Sequence, residues 1–147
     1  MVVEQMEEKP ELVFADLLPG REFRPLVYAV TEELVRAFID TVGDDHPLYR
    51  SGGDNSFPGM APPGLAAIYA RLSYLQDHLM PTGGVLAKQE FTFKKPVRIG
   101  ETLEIRARVA DRGLDDKERR RVTFHIRAFN RQGEAVSEIR LYAIWPK

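Results

Sequence analysis

A carboxylate, an imidazole and a phenol, those of Asp44, His46 and Tyr49, fall beside a second carboxylate, Asp45, within the seven residues Gly43-Asp44-Asp45-His46-Pro47-Leu48-Tyr49. A carboxylate and an imidazole held together can position and activate water, because histidine titrates near neutral pH. A phenol, with a reference pKa of about 10, is a poor base at neutral pH but a competent donor. Asp44 and His46 are two positions apart. An extended chain would project both side chains to one side, roughly 6.5–7 Å apart, a gap that one water can bridge. Pro47 pushes His46 toward that extended conformation. Each residue also has a purely structural assignment. Asp after Gly commonly bonds the backbone of its own turn, a loop histidine is commonly solvated, and Tyr49 can serve as packing.

The elements that must hold these residues are readable from periodicity. Residues 24–30 alternate as a short strand, with Leu26, Tyr28 and Val30 on one side. Thr31 is a helix N-cap followed by Glu32 and Glu33, and Leu34, Val35, Phe38, Ile39 and Val42 form an apolar stripe that Gly43 ends. Residues 44–60 are polar and turn-rich, so the chemistry-bearing segment is expected on a loop between two helices. A second helix is predicted to begin near Pro62-Pro63 and to run to Pro81 and Gly83-Gly84. Its residues Leu65, Ile68, Tyr69, Leu72, Leu75 and Leu79 recur at three- and four-residue steps, and alanines fill its other faces, which predicts burial on several sides. Beyond Gly84 the pattern has period two. Strands are expected over 85–94, 101–110, 121–130 and 134–145, joined by hairpin-length turns into an antiparallel meander. One buried helix against such a meander implies a two-layer α+β domain, a curved antiparallel sheet wrapped around a long central helix. The expected organisation is an N-terminal arm over residues 1–20 and a single domain over 21–147.

Composition narrows the function classes. With 147 residues, 44% hydrophobic and 29% charged, the chain is long enough for one cored domain without staples. A net charge of −1 argues against a nucleic-acid binder. The lack of cysteine removes disulfides, thiolate metal sites and cysteine nucleophiles, and fits a cytoplasmic location. The acidic first eleven residues have no apolar signal-peptide segment, and no apolar run is long enough to span a membrane. The three histidines are too scattered for a metal motif, so no metal is expected. His78 is expected to cap carbonyls or face solvent, and His125 to lie at a surface or interface. Lys117, Arg119, Arg120 and Arg121 read as a solvated, charged hairpin, with a phosphate or acidic-carrier contact as the sharper alternative.

Three stretches resemble the MaoC-like family of hot-dog (R)-specific enoyl-thioester hydratases and 3-hydroxyacyl-thioester dehydratases. Against that family's Gly-Asp-x-Asn-Pro-x-His loop, Gly43, Asp44, Pro47 and Leu48 match, while His46 stands in the Asn position and Tyr49 in the final His position. Ala61-Pro62-Pro63-Gly64-Leu65 is similar to the lead-in to the central helix of the family's N-terminal-type branch, and residues 91–103 to its strand–turn–strand signature. The resemblance implies a hot-dog fold and syn addition of water across a trans-2-enoyl thioester, or the reverse. Asp44, with His46 or Tyr49, would stand where the family holds water, and the Gly64 N–H would meet the charge developing on the thioester oxygen.

It also implies an acyl thioester of coenzyme A or of a carrier protein as substrate, with no further cofactor, and a homodimer or a heterodimer with another hot-dog subunit. Leu65, Ile68, Tyr69 and Leu72 would line the acyl tunnel. Because Tyr49 replaces the family's histidine, a non-catalytic acyl-binding subunit of a heteromeric dehydratase is the main alternative, and a thioesterase the weaker one.

Overall fold

The computed structural model describes residues 9–44, 46–49 and 59–147. The loop expected between the two helices lies largely outside them. Five strands form one antiparallel sheet: β1 (Leu26–Ala29), β2 (Val85–Phe93), β3 (Thr102–Leu114), β4 (Arg120–Phe129) and β5 (Ala135–Trp145). Two α-helices accompany it, α1 (Glu32–Val42) and α2 (Leu65–Leu75). Alternation decides which strand residues enter the core. Leu103, Ile105, Ala107 and Val109 on β3 face inward with Val122, Phe124, Ile126 and Ala128 on β4, and all eight are buried. α2 packs across this face over β3 and β1. The result is the α+β hot-dog arrangement of a sheet around a central helix.

α1 begins and ends as its residues dictate. The Thr31 hydroxyl accepts the Leu34 N–H at 3.1 Å. Gly43 takes the left-handed conformation, φ 75°, and its N–H returns to the Ile39 carbonyl at 2.8 Å. The chain therefore leaves the helix at a fixed point immediately before Asp44.

Four expectations need correction. First, the strands are not one meander. The sheet order is β1-β3-β4-β5-β2, so β2 pairs with β5 rather than β3. The eight residues between β2 and β3 cross the end of the sheet, a distance of three strand spacings or about 14 Å. They are tied down there by Val97 C=O to Ala61 N–H at 2.7 Å and by Gly100 N–H to Val30 C=O at 2.7 Å. Second, α2 stops at Leu75, well short of Pro81. Gln76 donates to the Arg24 carbonyl at 2.6 Å, Asp77 pairs with Arg24, and Leu79 exchanges backbone bonds with Pro10 and Leu12, so the chain is pulled off the helical path.

Third, α2 is buried on one side only. Leu65, Ala66, Tyr69, Ala70, Ser73 and Tyr74 are buried, while Ile68 and Leu72 remain about 40% exposed. Fourth, His125 is buried although it points away from the core. It lies between Arg108, whose guanidinium is 3.1 Å from Nδ1, and the carboxylate of Glu138.

The segment expected as an arm contributes to the core from Leu12 onward. Leu12 and Leu17 are fully buried, and the Trp145 indole N–H donates to the Leu12 carbonyl at 2.8 Å. His78 is half-buried beside Phe23 and Arg21, with a buried Nδ1 that has no partner among the described residues. The basic hairpin is largely satisfied internally. Arg119 pairs with Asp115, Arg121 with Asp111, and Arg120 reaches the Pro146 carbonyl. No helix among the described residues is long and apolar enough to cross a membrane.

Candidate functional site

The end of α1 delivers Asp44 to the surface, where it is exposed. A short 3-10 turn, Pro47–Tyr49, follows. The His46 ring is engaged by its own turn. Its Nδ1 accepts the Leu48 N–H at 3.1 Å, and its carbonyl accepts the Tyr49 N–H at 3.0 Å. An imidazole that accepts at Nδ1 carries its proton on Nε2, so its lone pair is already committed to the turn. The residue that does meet Asp44 is Tyr49. Its phenol is held above the ordinary tyrosine pKa first by burial, then by the Asp44 charge and the hydrogen bond to that carboxylate. Tyr49 is thus a protonated donor at neutral pH, stacked obliquely 5.7 Å from the His46 ring.

The turn is fastened to the lead-in of α2 by Met60 N–H to Leu48 C=O at 2.7 Å. Between them opens a mostly apolar cavity of about 380 Å³, within the range of small-molecule sites. Its walls include Leu48, Tyr49, Met60, Pro62, Leu65 and Leu103. Asp44, His46 and Gly64 are not among the described lining residues. Of the helix residues expected to line a tunnel, Leu65 and Tyr69 do so, whereas Ile68 and Leu72 sit on the exposed face.

Pro62 and Pro63 remove two donors ahead of α2, and the next carbonyls are taken by Leu65 N–H and Ala66 N–H at 3.1 and 3.0 Å. The Gly64 N–H has no acceptor among the described residues. Gly64 also has a packing reason to be glycine, since a Cβ there would lie 2.7 Å from the tip of the Phe38 ring on α1.

One pair of lining residues was only half visible in the sequence. The Tyr69 hydroxyl and the Ser137 Oγ lie 2.5 Å apart, both buried and both in the cavity wall. Burial pushes the Tyr69 pKa up, partly opposed by the Ser137 hydrogen bond. Tyr28 packs edge-on against the Tyr69 ring at 5.6 Å, and its own buried hydroxyl has no partner among the described residues. Ser137 gave one sequence signal: it occupies an inward position of β5, in step with Ile139, Leu141 and Ala143. At the rim stand Lys94 and Lys95, paired with Glu138 and Glu134. Among the described residues no cluster of three or more His, Cys, Asp or Glu side chains is arranged to hold a metal ion.

Residues 17–139 match the family model of the FAS1-like dehydratase domain region. This chain belongs to that dehydratase family. No curated protein sequence matches it. Among solved structures, the 3R-hydroxyacyl-ACP dehydratase HadBC complex of Mycobacterium tuberculosis is similar at 26% identity and a TM-score of 0.73, covering 90% of this chain and 99% of that one. The (R)-hydratase of A. caviae involved in PHA biosynthesis is similar at 21% identity and a TM-score of 0.72, covering 89% and 98%. A MaoC-like dehydratase from Rhodospirillum rubrum follows at 20% identity and a TM-score of 0.70, covering 92% and 98%. The family is that of MaoC-like hot-dog hydratases and dehydratases, which the Asp44 loop, the Gly64 lead-in and the β2–β3 stretch resemble.

Proposed function

We propose that this MaoC-like protein is the acyl-thioester-binding half of a heteromeric hydratase/dehydratase for trans-2-enoyl and 3-hydroxyacyl thioesters. Its own cavity receives the acyl chain, and a second hot-dog subunit supplies the Asp/His pair that handles water. The observation that carries this is the pairing of Asp44 with a phenol. Hydration places the water oxygen on C3 and a proton on C2 while negative charge builds on the thioester oxygen. A base must take a proton from that water. Tyr49 holds its proton more tightly than an ordinary tyrosine, and the His46 lone pair is spent on the Leu48 N–H. The acyl-binding parts are present: the apolar cavity, and the Gly64 N–H at the start of α2, which has no acceptor among the described residues and is suited to the thioester oxygen. The HadBC likeness supports a complex as the working form.

A second assignment, a hydratase acting alone, draws on the Asp44 carboxylate, which is exposed to solvent. Crotonyl-coenzyme A separates the two. The purified chain is expected to bind it saturably in calorimetry without hydrating it. Hydration that Asp44→Asn abolishes would establish the solitary enzyme instead. Release of free thiol would indicate a thioesterase, and no binding of any acyl thioester would overturn the acyl-binding role altogether.

A further inference from the structure

The polar pair in the cavity wall is one hydrogen bond short. Tyr69 and Ser137 bring two hydroxyl protons to a single contact of 2.5 Å, so whichever donates, the other O–H is left over. No further acceptor for it occurs among the described residues. The cavity wall they share is mostly apolar, with Val30, Leu65, Ala66, Leu103 and Val136 beside the charged Lys94 and Lys95, and the two residues are 4% and 1% exposed. An O–H without an acceptor in such surroundings is unfavourable, and a ligand atom that accepts it gains what an alkyl group forfeits.

We infer that Tyr69 and Ser137 select acyl thioesters carrying a hydroxyl or carbonyl oxygen beyond C3, against plain alkyl chains of the same length. The inference rests on the acyl-binding role proposed above. The position follows from the wall itself. The thioester oxygen must lie by the Gly64 N–H, which places C2 and C3 beside it, and Gly64 does not line the cavity. Tyr69 and Ser137 do, so they meet the part of the chain that follows. The modest cavity, about 380 Å³, suits a short acyl group. Neighbouring Tyr28, edge-on to the Tyr69 ring, adds a second buried hydroxyl without a partner among the described residues.

The test is a calorimetric panel on the intact chain: hexanoyl-, 3-hydroxyhexanoyl-, 4-oxohexanoyl-, 5-oxohexanoyl- and 6-hydroxyhexanoyl-coenzyme A. At least one thioester oxygenated beyond C3 is expected to bind about tenfold tighter than hexanoyl-coenzyme A, the scale of one recovered hydrogen bond. The Tyr69→Phe/Ser137→Ala double variant, which removes both partners together, is expected to erase that preference, read as the ratio of the two affinities within the same variant. Equal binding across the panel by the unaltered chain, or a preference confined to the 3-hydroxy compound, would overturn the selectivity and leave the acyl-binding role standing. A preference that survives in a double variant still binding hexanoyl-coenzyme A would overturn the assignment to these residues. Failure of every thioester to bind would remove both proposals.

Discussion

Two tyrosines make hydroxyl contacts in the wall of one cavity, in opposite settings. Tyr49 bonds a charged carboxylate on an exposed turn, and Tyr69 bonds a neutral hydroxyl in the core. Both phenols are held protonated, chiefly by burial. At the surface, water can replace a lost partner, so the Asp44–Tyr49 contact is open to chemical change at little cost to the fold. In the core nothing replaces the partner, so the Tyr69–Ser137 contact is bound up with stability. On the proposed role, the loop would be where activity can be lost or regained, and the wall where the shape of the ligand is fixed.

The largest effect should come from reversing the surface difference. Tyr49→His would put an imidazole beside Asp44, and crotonyl-coenzyme A hydration is expected to appear at roughly 10²–10⁴ times the background rate measured with the unaltered chain. An unchanged rate would mean that the turn, rather than the side chain, withholds activity. Next, Ser137→Ala leaves the Tyr69 hydroxyl alone in the core and should cost about 1–3 kcal/mol in urea unfolding. The double variant with Tyr69→Phe should cost less than the sum of the two single changes, and strict additivity would show the pair to be uncoupled.

High pH should expose the same distinction more mildly. Tyr28, Tyr69 and Tyr74 all have pKa values raised by burial. Above about pH 10 the unfolded chain loses protons that the folded chain keeps, so stability intact below that pH should fall as pH rises through the raised values. Tyr69→Phe should flatten that fall, and an equally steep decline in the variant would remove Tyr69 from its cause. Smallest of all, Asp44→Asn should change unfolding free energy by no more than about 0.5 kcal/mol. A larger loss would make the loop structural and erase the contrast.

How much of this was legible follows from where each signal resides. Thr31 and Gly43 announced the ends of α1 because caps are local chemistry, and the alternation of β3 and β4 announced the core face because side-chain direction is fixed by the backbone. Partnership of β2 was hidden. Residues 94–101 have the composition of a turn, and a turn does not state which strand it leads to. The early end of α2 was hidden too, since Gln76 and Asp77 suit a helix and only Arg24 and the backbone near Pro10, remote in sequence, pull them away. At the site, Asp44, His46 and Tyr49 stood out by type. That His46 would turn back on Leu48 depends on torsions no composition encodes. Ser137 passed unnoticed because one small polar residue in an apolar strand has many ordinary explanations.

The indole bond from Trp145 to the Leu12 carbonyl spans 133 positions of sequence. On a ribosome, the Leu12 carbonyl must wait for β5 before its indole donor exists. Until then the N-terminal segment lacks this tie, so the contact joins two stretches of chain that are made far apart in time.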